Sequence, residues 1–220
     1  MQRFVWDLMY PNPPSDRYDL PISAVYRDTP FTPQGPTVMP GRYTVRLTVN
    51  GRAETQTLNV RMDPRITTST LGLKQQFDLS LEAYNGIIEA SSLMSEINKL
   101  NADLRAAYEK AAGKPDALKA IEDVQQQIRL LTTGSRNVTT GPQQPTPIAE
   151  YPLGRLTGAY TSMLDLLQDA DVAPTTQAVR DMTALRSAMA RARSTWSIIK
   201  TQDVPKVETQ LRAFGIALRG

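Results

Sequence analysis

The sequence predicts an α+β protein: an incomplete antiparallel β unit over residues 1–66, then an up-and-down antiparallel helical bundle over residues 67–220. Three observations lead there. Tyr43, Val45, Leu47 and Val49 alternate with Thr44, Arg46, Thr48 and Asn50, the period-2 signature of a half-buried strand. Nine of the 16 prolines precede Arg65, which argues against a long helix in that region. Beyond Pro64, apolar residues recur every three or four positions almost to the C-terminus, as packed helices require.

In chain order, Arg3 to Leu8 reads as a first strand, with Phe4, Trp6 and Leu8 on one face. Tyr10 to Pro21 is a Pro- and Asp-rich loop, Ile22 to Tyr26 a short edge strand, and Pro30 to Pro40 a second loop. Arg42 to Val49 is the clearest strand. Asn50-Gly51 is a two-residue hairpin signal, because both central positions of a type I′ turn need φ > 0. The return strand, Thr55 to Met62, turns Leu58, Val60 and Met62 inward. This turn pairs Tyr43 with Leu58 but also Leu47 with Glu54, so the hairpin tip is expected to project past the core. Four strands fall short of the roughly seven in a complete β-sandwich. Apolar faces and an open edge should therefore be left over.

Thr67 to Thr70 offers N-cap residues for a first helix. Its stripe runs through Phe77, Leu81, Tyr84, Ile88, Met94, Ile97, Leu100, Leu104 and Tyr108 towards Gly113, a rod of roughly 60 Å. Gly86, at its middle, suits close packing or a bend. Pro115 fits the first position of a second helix, which carries Leu118, Ile121, Val124, Ile128 and Leu131 and stops near Gly134. Residues 134–153 form a long connection rich in Gly, Pro, Thr and Gln. A third helix spans Leu153 to Ala170, and a fourth runs from Thr176 to Lys200 with Met182, Leu185, Met189, Trp196 and Ile199 inward. Pro205 opens a short last helix ending at Gly215. Short links between the first two helices, and between the third and fourth, imply antiparallel pairs.

The chain contains no Cys and no His. That removes disulfides, thiolate nucleophiles, imidazole ligands and a Ser-His-Asp triad. Catalysis would have to rest on carboxylates, Lys, Tyr or a hard cation held by oxygen. No apolar run reaches the roughly 18 residues of a transmembrane helix, so no membrane span is expected. Met1 to Tyr10 lacks the continuous apolar core of a signal peptide. The net charge is +3, and the basic residues are scattered. Their densest group, Arg186, Arg191 and Arg193, flanks the stripe of the fourth helix and reads as a solvated border. Nucleic acid is not an expected partner, because phosphate recognition needs a concentrated footprint.

Several residue groups invite a chemical reading. Asp165, Asp169 and Asp171 form the tightest acidic group, but their spacing fits no EF-hand loop and suits a helix end. Glu82, Glu89 and Glu96 stand two turns, about 10 Å, apart on one helix, a water-facing stripe rather than a carboxylate pair. Trp6 shares parity with Phe4 and Leu8 and is assigned to the β core. Tyr10, Tyr18 and Tyr26 are candidate ligand-stacking residues, since loop aromatics do bind ligands. Asn137-Val138-Thr139 matches a glycosylation acceptor. No residue is assigned to catalysis, to a metal or to a cofactor.

Three stretches, taken in order, carry a resemblance. The first is Arg3-Phe4-Val5-Trp6-Asp7-Leu8 with Tyr10-Pro11. The second runs from Pro40-Gly41-Arg42-Tyr43 through Asn50-Gly51 to Met62-Asp63-Pro64-Arg65. The third is Asp169-Ala170-Asp171-Val172-Ala173-Pro174-Thr175, with Trp196, Asp203-Val204-Pro205 and Leu211. Together they resemble the C-terminal region of exported bacterial proteins built on sortilin-like, BNR (Asp-box) repeat β-propellers with glycosyl-hydrolase-like labels. The resemblance covers nearly the whole chain.

The resemblance implies that the hairpin belongs to an Ig-like module, that the helices form a terminal appendage, and that a propeller precedes both. It also implies a periplasmic or secreted location, with any signal peptide outside this chain. The Asp-box pattern Ser-x-Asp-x-Gly-x-x-Trp is absent, so no catalytic residue carries over. The expected role is that of a non-enzymatic accessory region packing on the upstream propeller or on another protein, without a cofactor. Two alternatives stay open: a carbohydrate- or surface-binding module using the loop tyrosines, and self-association through the first helix.

Overall fold

The computed structural model describes residues 4–15, 33–134 and 146–218. Arg3, Tyr18, Tyr26, the Ile22–Tyr26 strand and Asn137-Val138-Thr139 lie outside the described residues. The fold is mixed. Two antiparallel strands, β1 (Gly41–Val49) and β2 (Arg52–Val60), precede helices α1 (Thr70–Lys110), α2 (Pro115–Thr133), α3 (Leu153–Gln168), α4 (Thr176–Ile198) and α5 (Val204–Ala213). A 3-10 turn covers Ile148–Glu150, and a π-helical stretch, Ile199–Asp203, separates α4 from α5. The chain divides into two compact units, one of Met1–Tyr84 with Met163–Val179, the other of Asn85–Ser162 with Arg180–Gly220. The β unit expected to end at residue 66 thus shares its unit with the start of α1.

In the first unit the hairpin has the register its turn dictates. Tyr43 faces Leu58 and Leu47 faces Glu54, with Asn50 at φ 50° and Gly51 at φ 80°. The expected strand before it does not form over Phe4 to Leu8. There Asp7 Oδ1 accepts the Met9 N–H at 3.0 Å, and Trp6 Nε1 donates to the Met9 carbonyl at 3.1 Å. Leu8 is drawn to φ 65°. These local side-chain bonds compete with a ladder and curl the segment. It pairs only at Met9, in a single bridge to Thr37. Phe4 is exposed, and Trp6, expected in a β core, is half-buried with its ring edge-on to Tyr43 at 5.5 Å.

The buried centre of this unit lies among the helices, at Ala83, Met163, Leu164, Leu167 and Ala178, with Val38 from the loop before β1. Two polar side chains join them, Gln76 and Ser80. Gln76 Nε2 donates to the carbonyls of Leu167 and of Ala170, the latter at 2.7 Å, where the end of α3 leaves acceptors without intrahelical donors. Gln168 Oε1 accepts the Thr37 N–H and Nε2 donates to Ser80 Oγ, both at 2.8 Å. The loop before β1 is thereby tied to α3, and α3 to α1.

In the second unit the buried line of α1 passes through Ile87, Ala90, Ile97, Leu104 and Ala107. At its start this is one position away from the large-residue stripe: Ile87 is fully buried while Ile88 is 37% exposed. Small residues set the difference. A Cβ at Gly86 would lie 2.6–2.7 Å from the Tyr160 ring, so the glycine serves close packing of α3 on α1.

From α4 to α5 the chain forms one continuous helical run. Pro205 lacks an N–H, and its ring would crowd the carbonyl four residues back in a regular helix; the wider π turn before it absorbs the misfit. The run ends in a Schellman motif at Gly215, φ 73°. Ile216 N–H bonds Leu211 C=O, and Gly215 N–H bonds Arg212 C=O, both at 3.0 Å.

Two ion pairs fix a direction within this unit. Arg193 meets Glu89 and Lys200 meets Glu96, so both helices advance seven residues in the same sense. These parts of α1 and α4 run parallel, whereas a strict up-and-down order would oppose them. The start of α3 abuts the end of α2, with a Cβ at Gly154 only 2.6 Å from the Thr132 carbonyl oxygen.

Candidate functional site

The residues of β1 and β2 sort onto two faces by their register. Tyr43, Val45, Leu47 and Val49 share one with Val60, Leu58, Gln56, Glu54 and Arg52, while Arg42, Thr44, Arg46 and Thr48 share the other with Ala53, Thr55, Thr57 and Asn59. The first face is an aliphatic row on β1 beside polar residues on the outer half of β2, and its aliphatic side chains have little over them: Val45 is 49% exposed, Leu47 63%, Val49 56% and Leu58 39%. Only the base of the hairpin is anchored. There Tyr43 Oη–H donates to the Met39 carbonyl at 2.6 Å, and its ring meets Trp6. Burial, and then the neighbouring Tyr10, push the Tyr43 hydroxyl above its ordinary value of 10.0.

Both outer edges of this sheet are open among the described residues, since the sheet has two strands. Such a surface can bind by apolar contact and by backbone pairing. It presents no acid–base constellation. A two-stranded hairpin in water is marginal by itself, so this one depends on its anchored base.

Tyr10, the described member of the stacking candidates, is half-buried with its ring 6.1 Å from both Phe77 and Tyr84. It packs on α1 while its backbone N–H bonds the Pro36 carbonyl. Asp165 on α3 and Asp169 and Asp171 just past its end do not converge: among the described residues no group of three carboxylates is placed to hold a metal ion. Asp165 is raised from its ordinary value by loss of solvation first and by Asp169 second. The expected solvent stripe on α1 is partly engaged. Glu89 receives Arg193 from Nε at 2.7 Å, and Glu96 accepts Lys200 Nζ at 2.9 Å and Trp196 Nε1 at 3.1 Å. Those bonds, the Lys200 one foremost, hold Glu96 below its ordinary 4.5.

Beside this pair opens a groove of about 320 Å³ lined by Glu96, Leu100, Asp103, Trp196, Lys200 and Val204. The sequence carried one signal for the ion pairs, the shared seven-residue spacing of Glu89 with Glu96 and of Arg193 with Lys200.

Compared with protein-family models, curated proteins and solved structures, the chain matches none. No helix among the described residues is long and apolar enough to cross a membrane.

Proposed function

We propose that this chain is a non-catalytic accessory region of an exported β-propeller protein, joined to the propeller or to another protein through its hairpin. The observation that carries the reading is the exposed aliphatic row of Val45, Leu47 and Val49 on β1, with Leu58 of β2, on a sheet with both edges open among the described residues. Natural sheets seldom leave such edges bare, and contiguous exposed apolar residues mark interaction surfaces. In this reading β1 and β2 are two strands of an Ig-like module completed from elsewhere, and the helices are its terminal bundle. An extracytoplasmic location belongs to the same reading.

Two observations favour it over the alternatives. Tyr10 spends its ring on Phe77 and Tyr84, which leaves less of it for stacking on a sugar. On α1, Ile87, Ala90, Ile97, Leu104 and Ala107 are buried within the chain while Ile88 and Tyr108 are exposed, which leaves a broken rather than a continuous stripe for pairing with another copy. The test is calorimetric titration of the chain with the propeller region of its parent protein. Binding is expected, and Val45→Asp with Leu47→Asp should weaken it more than about tenfold, since each buried aliphatic side chain contributes roughly 1.5–3 kcal/mol. Absence of binding overturns the proposal. So does turnover of a polysaccharide that one carboxylate substitution abolishes.

A further inference from the structure

We propose that the free edge of β1 takes up, as a third strand, an extended segment in which apolar residues alternate with Asp or Glu. The proposal rests on the hairpin being an interaction surface and adds the chemistry of the strand that completes it. A two-residue turn makes Val49 and Arg52 a hydrogen-bonded pair, and bonded and non-bonded pairs alternate along an antiparallel ladder. Thr48, Arg46, Thr44 and Arg42 therefore aim their N–H and C=O groups away from β2, towards an edge with no strand on it among the described residues.

The same four residues place their side chains on the face opposite Tyr43, Val45, Leu47 and Val49. Arg42 and Arg46 are exposed and make no ion pair among the described residues. A strand laid on this edge sets alternate side chains directly opposite them, at Cβ separations of about 4.5–5.5 Å, where carboxylates are matched. Its remaining side chains fall beside Val45 and Leu47, on the side of β1 away from Gln56 and Glu54, where apolar residues are matched. Charge also decides against a second copy of β1. Symmetric edge pairing is antiparallel, and registers near mid-strand bring Arg42 or Arg46 of one copy opposite or diagonal to an arginine of the other.

The test uses the whole chain and two blocked peptides of about eight residues, one alternating Val with Glu and one alternating Val with Lys. At low ionic strength the Val–Glu peptide is expected to bind roughly tenfold more tightly, with slowed amide exchange at Thr44 and Arg46. Added salt should shrink the preference. Arg42→Glu with Arg46→Glu, at two exposed positions, should leave the melting temperature unchanged and invert the preference. Equal affinity, binding that perturbs residues away from β1, or self-association through β1 without peptide binding overturns the proposal. A propeller region that binds with no charge preference among peptides removes this inference and keeps the proposed function. The reverse pair of results removes the function and keeps the edge.

Discussion

Gly86, Trp196 and Glu96 each show what one side chain, or its absence, decides. At Gly86 a methyl group would enter the Tyr160 ring, so Gly86→Ala should cost about 1–3 kcal/mol through overpacking. Urea denaturation of the variant measures it, and an unchanged midpoint would mean that the contact relaxes freely. Trp196 is buried with Met182, Leu185, Met189 and Ile199, as its spacing implied. Trp196→Ala should cost about 3–5 kcal/mol; a loss below roughly 1 kcal/mol would undo that stripe. Glu96 is held below its ordinary 4.5 by Lys200 and Trp196. A depressed folded value means stability that is fully present above 4.5 and is lost as the pH falls through the lowered value. Between neutral pH and acid, Glu96→Gln should therefore lose less stability than the wild type in matched denaturant titrations. The pair is substantially exposed, so the difference will be small. Trp196 was legible because a large apolar residue announces its face. Gly86 was legible only as one of two options, since sequence does not say which ring will seat on a glycine.

The elements follow from the chain with different fidelity. The hairpin was readable to its register, because Asn50-Gly51 admits few turns and the turn fixes every pair. Gly51→Val, at φ 80°, should unravel the hairpin while leaving the helical circular dichroism nearly intact. Equal loss of both signals would mean that hairpin and helices fold as one cooperative unit. Phe4 to Leu8 misled because alternation records only parity, and the bonds from Asp7 and Trp6 to Met9 outweigh it. Pro205 opens α5 in its first turn, as its preference implies. What the sequence did not show is the π turn at Ile199–Asp203 that joins α4 to α5 in one helical run. Helix direction was the least readable property: the parallel course of α1 and α4 rests on two ion pairs between residues 104 apart.

At the scale of the molecule, the sequence predicts four strands at most, and the described residues form two, whose aliphatic side chains Val45, Leu47 and Val49 face water. In the proposed reading that side is covered by another surface, and the hairpin encodes only how such a cover has to look: apolar against Val45, Leu47 and Val49, compatible with Gln56, Glu54 and Arg52 beside them, and able to pair with a free backbone edge. The most direct measurement is amide hydrogen exchange along β1, for the chain alone and with the propeller region that the proposed function assigns to its parent protein. The account predicts that Arg42, Thr44, Arg46 and Thr48 exchange rapidly in the chain alone and slow by orders of magnitude in the complex, as α1 stays unchanged. Unaltered exchange at those four amides in a saturated mixture would contradict it.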